Sequence, residues 1–173
     1  VEVPVDIHFI FTITEEVGSG ASAVLLDHVV AMVSIDNGAT APGQNSRETG
    51  VTIGMADSVG PFDYHLTRKL IRLCGENAIP HQRDVFRYYR SDSASAVGGG
   101  ADVRTALITF GIDASHSYER VHTNALESIA RLVCAYAASA VEITRDTEEL
   151  SDLEGFTTQP TEPAPETKEP PTV

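Results

Sequence analysis

Residues 5–16, VDIHFIFTITEE, form the most informative stretch of this sequence. Residues 5–14 are rich in β-branched and aromatic side chains, which predicts a buried β-strand. The strand is predicted to end at Glu15 and Glu16, and the glycines at positions 18 and 20 mark a turn into a short helix-like run at 21–26. Adjacent carboxylates repel unless a cation or a shared proton offsets their charge, so this pair at the close of a buried strand calls for a local explanation.

The pattern beyond this stretch alternates between strands and helices. Strands are predicted at 29–35, 51–55, 82–89 and within 101–112, and helices at 65–77 and 124–140. For the last helix we predict Asn124 as the N-cap and Glu127 as its capping-box partner. Such alternation predicts an α/β sandwich, in which ligands gather beyond the carboxyl ends of the strands.

Composition limits the classes of function. The chain has 173 residues, enough for one domain with its tails, and a formal net charge of -13. An acidic surface argues against nucleic acid and anionic membranes as partners, because both are bound by clustered Lys and Arg. No signal-peptide pattern and no long apolar run is found, so we expect a cytoplasmic protein. The two cysteines, Cys74 and Cys134, lack metal-site spacing and are expected to be reduced core thiols.

The composition changes near residue 141. Residues 142–173 alternate acidic residues with prolines and contain too little apolar surface to offset the entropy lost on ordering. We therefore predict two regions, a folded domain at 1–141 and a disordered, acidic, Pro-rich tail at 142–173.

Potential metal ligands occur where the predicted strands end. Glu15 and Glu16 follow the first strand, Asp36 follows the second, and His116 comes shortly after the last. Carboxylates and neutral imidazole are ordinary ligands of zinc, manganese and cobalt. Each of these residues alone is also typical of a solvated turn, and Asp36 in particular lies in a normal turn sequence, IDNG.

The motifs TITEEVGSGAS, SIDNG, YYRSDSASA and TFGIDASHSYERVH occur together and in order. This ensemble, over residues 5–140, resembles the carboxy-terminal part of the tetrahedral aminopeptidases, also known as glutamyl or deblocking aminopeptidases or cellulase M. The residues of SIDNG, RYYRSDSAS and SHSYER are also similar to a branch of this family that is encoded with bacterial genes for osmoprotectant dipeptide synthesis. The resemblance implies a three-layer, zinc-peptidase-like fold with a mixed, mostly parallel sheet that is truncated at its amino-terminal side.

The resemblance also implies a role for each candidate residue. Glu15 would be the general base, Glu16 and His116 would bind one metal ion, and Asp36 would bind the other. Asp92 would support the site or contact the substrate, although its residue type and position also suit a helix N-cap. The implied cofactors are two divalent ions, zinc or cobalt foremost and manganese as an alternative, that activate a water molecule for hydrolysis of the amino-terminal bond of a peptide.

The sequence departs from this family in one respect. The family's histidine and bridging aspartate that precede the Glu-Glu pair are not found before Glu15. We therefore expect a fragment of an aminopeptidase whose full-length parent forms homo-oligomers and acts on peptides. The alternative is a non-catalytic remnant, or a module that binds a metal or a small molecule.

Overall fold

A computed structural model describes residues 3–24 and 27–141 of the chain. The predicted tail at 142–173 lies outside the described residues, so its predicted disorder stays a prediction. No helix within the described ranges is both long enough and apolar enough to cross a bilayer.

The described part is an α/β structure built on one mixed sheet. Two 3-10 turns, Glu15–Val17 and Gly20–Ala23, precede the regular elements. These are, in chain order, β1 (Ala31–Ala39), β2 (Val51–Ala56), α1 (Tyr64–Glu76), β3 (His81–Val85), α2 (Asp92–Gly98), β4 (Arg104–Asp113), β5 (Arg120–Val121) and α3 (Thr123–Ala137). The predicted fold class is confirmed.

The sheet has the order β1-β4-β2-β3, with β5 paired to β4. The two long ladders are parallel: β1 with β4, from Ala31 opposite Arg104 to Ala39 opposite Ile112, and β2 with β3. The antiparallel ladders of β4 with β2 and β5 are shorter. The sheet is therefore mixed and mostly parallel.

Helices cover both faces of the sheet. The main core joins α1 and α3 to β2 and β4 through buried residues that include Val51, Ile53, Leu66, Ile108 and Leu132. Helix α2 lies on the other face, where the hydroxyls of Ser34 (β1) and Ser93 (α2) are 2.6 Å apart. Because side chains alternate across a strand, Asp36 lies on the same face as Ser34 and α2.

Helix boundaries follow from capping. Asp63 caps α1 by accepting a 2.8 Å hydrogen bond from the Leu66 backbone N–H. Helix α3 begins earlier than predicted, because the side chain of His122 accepts from the Asn124 N–H at 3.1 Å. The predicted capping box is therefore wrong. Asn124 instead joins the helix to the sheet region by accepting from the Gly50 N–H at 3.2 Å.

Residues 5–14 do not form the predicted strand. They are irregular and pair with no strand among the described residues. Their apolar side chains are exposed, with Phe11 at 90% and Ile13 at 97%. The physical reason is that a strand needs a neighbour for its backbone N–H and C=O groups, and apolar composition alone does not supply one. The helix-like run at 21–26 is likewise only the 3-10 turn Gly20–Ala23, while residues 25 and 26 lie outside the described ranges.

The exposed apolar side chains of residues 3–13 should make this chain self-associate. We expect sedimentation velocity to show oligomers of the 173-residue chain, together with enhanced fluorescence of the apolar dye ANS. Phe11→Asp should reduce both signals, whereas Val59→Asp, at an exposed apolar position in a polar turn, should leave them unchanged. A monomeric wild-type chain without dye binding would contradict this expectation.

The two cysteines should differ in reactivity. Cys74 is fully buried, and burial raises the pKa of its thiol to about 11. Cys134 is exposed, which corrects its assignment to the core. Because the thiolate is the reacting form, iodoacetamide should modify Cys134 alone in the folded chain and both residues in guanidinium, as measured by peptide mass spectrometry. Equal labelling of the two residues in the folded chain would show that Cys74 is not sheltered.

Candidate active site

The two glutamates of the Glu-Glu pair lie on a 3-10 turn rather than at the end of a strand. The turn Glu15–Val17 ends at Gly18, whose φ of 81° lies in the left-handed region and whose N–H donates to the Glu15 carbonyl at 2.7 Å. Glu15 is half-buried and Glu16 is exposed. The turn thus directs the two carboxylates into different environments.

The carboxylate of Asp92 holds this turn against α2. One oxygen accepts from the Thr12 hydroxyl at 2.6 Å, and the other accepts from the Ala21 N–H at 2.8 Å. A Cβ atom at Gly20 would lie 2.0 Å from the Asp92 carboxylate, so a side chain at this position would force the carboxylate to move. Asp92 therefore joins the two segments that flank Glu15 and Glu16, which is a positioning role.

The alternative interpretation of Asp92, as the N-cap of α2, is wrong. That position is taken by Ser91, whose N–H and hydroxyl both donate to the buried Asp57 carboxylate, at 3.0 and 3.1 Å. The N–H of Ser93 donates to the Ser34 hydroxyl at 3.1 Å. Three consecutive residues thus fix the start of α2 to four other segments, and the sequence motif RSDSAS contains all three of them.

Asp36 lies inside β1, which corrects the prediction that it follows the strand. The strand continues to Ala39 because its pairing with β4 continues, with Asp36 opposite Thr109. One Asp36 carboxylate oxygen accepts from the Asn37 N–H at 2.6 Å. Asp36 also lines a small cavity of about 20 Å³ with Asp57, Phe86 and Tyr89.

His116 lies in a tight turn after β4. Its φ of 65° is in the left-handed region, and its backbone N–H donates to the Glu119 carboxylate at 2.8 Å. The preceding Ser115 hydroxyl donates to the Asn37 side chain at 3.4 Å, which ties this turn to β1 beside Asp36. The His116 Nδ1 atom is 3.5 Å from a Glu16 carboxylate oxygen. Both side chains are mostly exposed, so this pair alone adds little stability.

Electrostatics connect all five candidate residues. Burial raises the pKa of Glu15, and the charges of Asp36, Asp92 and Glu16 raise it further, while His116 opposes the shift. Burial also raises the pKa of Asp36, opposed by its hydrogen bond from Asn37, with smaller increases from Glu16 and Asp92. Four carboxylates from three separate segments therefore share one region, where a cation would lower their mutual repulsion.

These donors suit a divalent metal in their chemistry but do not by themselves complete a site. Within residues 3–24 and 27–141, no three His, Cys, Asp or Glu side chains converge closely enough to hold a metal ion. Two of the candidate ligands, His116 and Glu16, approach each other to 3.5 Å. The assigned roles of Glu15, Glu16, Asp36 and His116 thus stay predictions.

The fold defines an α/β protein with a mixed sheet in which several carboxylates share one region, and comparison with known proteins identifies its family. Residues 1–132 match the family described as M42 glutamyl aminopeptidase, and the chain belongs to that family. It is 35% identical over 139 residues to YhfE of Bacillus subtilis (strain 168), which carries the name of an aminopeptidase. That alignment covers 80% of this chain and 40% of YhfE.

Solved structures agree with the family. The TET1 peptidase of Pyrococcus horikoshii, which can assemble into a tetrahedron or a large octahedral shell, matches with a TM-score of 0.67 and 26% identity over 75% of this chain and 40% of its own. A TET aminopeptidase from the marine sediment archaeon Thaumarchaeota archaeon SCGC AB-539-E09 matches with a TM-score of 0.62 and 21% identity over 84% of this chain and 42% of its own, which shows the fold. The chain thus spans about two fifths of the length of these relatives.

The contact between Gly20 and Asp92 can be tested by a double-mutant cycle. Gly20→Ala should lower the free energy of unfolding by about 1–3 kcal/mol, because its Cβ would overlap the carboxylate. In an Asp92→Ala background the same change should cost clearly less. Urea unfolding measures all four forms, and Gly75→Ala, a helix position with open space around it, should be neutral or stabilising. Equal costs in both backgrounds would disprove the coupling.

Proposed function

We propose that this chain is part of a metal-dependent aminopeptidase, which hydrolyses the amino-terminal bond of a peptide with a water molecule activated by two divalent ions. The observation that supports the proposal is that Glu15, Glu16, Asp36 and His116 lie in one region, where each influences the electrostatics of the others, in a chain of the M42 family. The four residues come from three segments up to about a hundred positions apart in the sequence. Such a grouping is not expected of unrelated surface turns.

Within this proposal Glu15 accepts the proton. It is the more buried glutamate of the pair, and its raised pKa brings it closer to the neutral range in which a general base is effective. Glu16 and His116, whose side chains already approach each other, bind one ion, and Asp36 binds the other. Zinc or cobalt suits these ligands best, with manganese as an alternative. Bound ions of this kind lower the pKa of water and polarise a carbonyl group.

The proposal assigns activity to a longer protein rather than to these residues alone. No three potential ligands meet within the described ranges, and the chain spans two fifths of its relatives. In this proposal the remaining ligands are supplied by other parts of the longer protein. That same deficit favours the alternative function, a non-catalytic remnant of the family.

The partners follow from the same relatives. We infer peptide substrates, and a homo-oligomeric parent, since the related TET1 peptidase assembles into closed shells. A cytoplasmic location is part of the same proposal.

A chimera tests the role of Glu15. In it, the segment of YhfE that matches this chain is replaced by residues 1–132, and release of p-nitroaniline from aminoacyl-p-nitroanilides is measured with added cobalt or zinc. The chimera should be active. Glu15→Gln should lower kcat by about 10²–10⁴-fold while leaving cobalt binding intact, because it removes a proton acceptor and not a ligand.

Two comparisons make this test specific. Glu76→Gln, at a surface position that pairs with Arg72, should leave kcat within about twofold of the parent chimera. The 173-residue chain alone should show no turnover above background. If Glu15→Gln retained full activity, the assigned base would be wrong. Turnover by the chain alone, abolished by Glu15→Gln, would show that the site is already complete.

A further inference from the structure

Strand β1 forms one end of the sheet, and among the described residues no strand pairs with the side of β1 that faces away from β4. Just past the end of β1, the Thr40 N–H donates to the Ile112 carbonyl of β4 at 3.0 Å. Because backbone groups point to alternate sides along a strand, the N–H groups of Val33 and Ile35 point away from β4. Within the described ranges neither N–H group has a hydrogen-bond partner. We call the outward-facing backbone of residues 31–35 the open edge.

The open edge lacks the features that usually protect an edge strand from pairing with another chain. Its sequence, AMVSI, contains no charged residue and no proline, and the ladder of β1 with β4 runs from Ala31 to Ala39 without a bulge. An outward N–H is occupied only beyond the open edge, where that of Asn37 donates to the Asp36 carboxylate at 2.6 Å. The open edge is therefore a template for one more strand, about five residues long.

The opposite end of the described sheet is protected. The loop at 42–47 lies against β3, where the side-chain amides of Gln44 and Asn45 donate to the Val85 and Arg83 carbonyls at 3.5 and 3.3 Å. Strand β3 also carries charged side chains, and its ladder with β2 contains an irregularity. Both features discourage pairing with another strand, so the two ends of the described sheet differ in what they can accept.

The apolar layer beside the open edge is incomplete. Ala31 and Val33 are only half-buried, and they pack at the margin of the main core. Ile35 lies on the same face as Val33, because side chains alternate along a strand, and 47% of its surface is exposed. A further strand with apolar side chains on this face would cover Ile35 and extend the core.

Residues 5–11, which we call the arm, have the pattern that such a strand requires. Large apolar side chains occupy every second position, which is the period of a strand with one buried face. These residues are Val5, Ile7, Phe9 and Phe11. The arm pairs with no strand among the described residues, and Phe9 is 67% exposed. The next residue, Thr12, is held by its hydrogen bond to Asp92 of α2, so the arm precedes a fixed point of the chain.

We propose that the arm of one copy of this chain pairs with the open edge of a second copy, so that two chains exchange arms. The edge lacks a strand and the arm lacks a sheet, and the two do not pair within one copy. A reciprocal exchange about a two-fold axis supplies both partners at once. The contact avoids the strong net charge of -13, since Asp6 is the only charged residue of the arm and the edge has none. This inference is independent of the proposed catalytic function.

The apolar area of the arms is sufficient for a stable dimer. A phenylalanine buries about 150–250 Å², so Phe9 and Phe11 of the two copies contribute on the order of 600–1,000 Å². A specific interface buries about 1,200–2,000 Å² in total. The smaller side chains of the arm, and the surface around Ile35 that the arm covers, add to the area of the phenylalanines.

Two substitutions test the arm and the edge separately. Phe9→Asp places a charge on the apolar face of the arm, and Ile35→Lys places one on the open edge. In sedimentation velocity the 173-residue chain should form dimers, and each substitution should raise the dissociation constant at least about tenfold. The matched control is Leu126→Lys, at a residue of α3 that is 45% exposed. It changes the net charge as Ile35→Lys does and should leave the dissociation constant within about twofold.

Mixing the two variants tests the exchange itself. The Phe9→Asp chain keeps an intact edge and the Ile35→Lys chain an intact arm, so together they can form one of the two contacts. Native mass spectrometry, with one variant isotopically labelled, should show a heterodimer at a concentration where neither variant forms a homodimer. The regained contact also shows that both variants are folded. In the wild-type dimer, hydrogen exchange should be slower in the arm and at the Val33 and Ile35 amides than in the diluted monomer.

Five results would overturn the proposal, and each identifies a different arrangement. Dimers that survive Phe9→Asp would show that two open edges pair directly, and dimers that survive Ile35→Lys would show that the arms associate elsewhere. A monomeric wild-type chain with protected Val33 and Ile35 amides would show that the arm occupies the edge of its own copy. A monomeric chain without that protection, or a mixture of the two variants without a heterodimer, would exclude exchange altogether.

Discussion

The parallel pairing of β1 with β4 is the constraint on which the arrangement of this chain depends. It aligns Asp36 with Thr109 and continues to Ala39 opposite Ile112. Because β1 and β4 are parallel, both strands end at the same edge of the sheet. The turn that contains His116 follows directly after β4. The hydrogen bond from the Ser115 hydroxyl to the Asn37 side chain then holds that turn next to β1. Asp36 and His116 are therefore neighbours as a consequence of register, although eighty positions separate them in the sequence.

Five carboxylates among the described residues differ in their hydrogen-bond donors. Asp57, Asp84 and Asp92 each accept from several N–H or O–H groups, and each thereby joins separate segments. Asp36 accepts one backbone N–H, and burial raises its pKa and that of Glu15. A carboxylate that is satisfied by donors has no need of a cation, whereas one that is desolvated among like charges does. On the proposed function, this contrast separates the structural carboxylates from Asp36 and Glu15, which would serve the site.

The sequence predicted the regular elements well wherever their stability is local. Helix α1 has apolar residues at helical spacing and an aspartate cap, and β2 is a short apolar run bounded by turn residues. The predictions failed where the structure depends on contacts between segments that are distant in the sequence. The turn sequence IDNG did not end β1, because pairing with β4 provides backbone partners that no local pattern encodes. A groove lined by Arg47, Arg83 and Arg87 was not predicted either. These residues are scattered in the sequence, and only the fold brings the loop at 42–47 beside β3.

The unpaired segment at 5–14 lies directly before two of the candidate metal ligands, Glu15 and Glu16, in the chain. The segment runs directly into Glu15. Helix α2 is joined to this part of the chain by the two hydrogen bonds of Asp92 and by the Ser95 hydroxyl, which donates to the Gly18 carbonyl at 3.3 Å. The segment exposes apolar side chains, Phe11 and Ile13 among them, and covering them would lower the free energy of the chain in water. A polypeptide that pairs with this segment would fix its backbone, and with it the direction in which the next two carboxylates point. Because the same backbone carries residues 5–14 and the two glutamates, the proposed function couples burial of this segment to completion of the site.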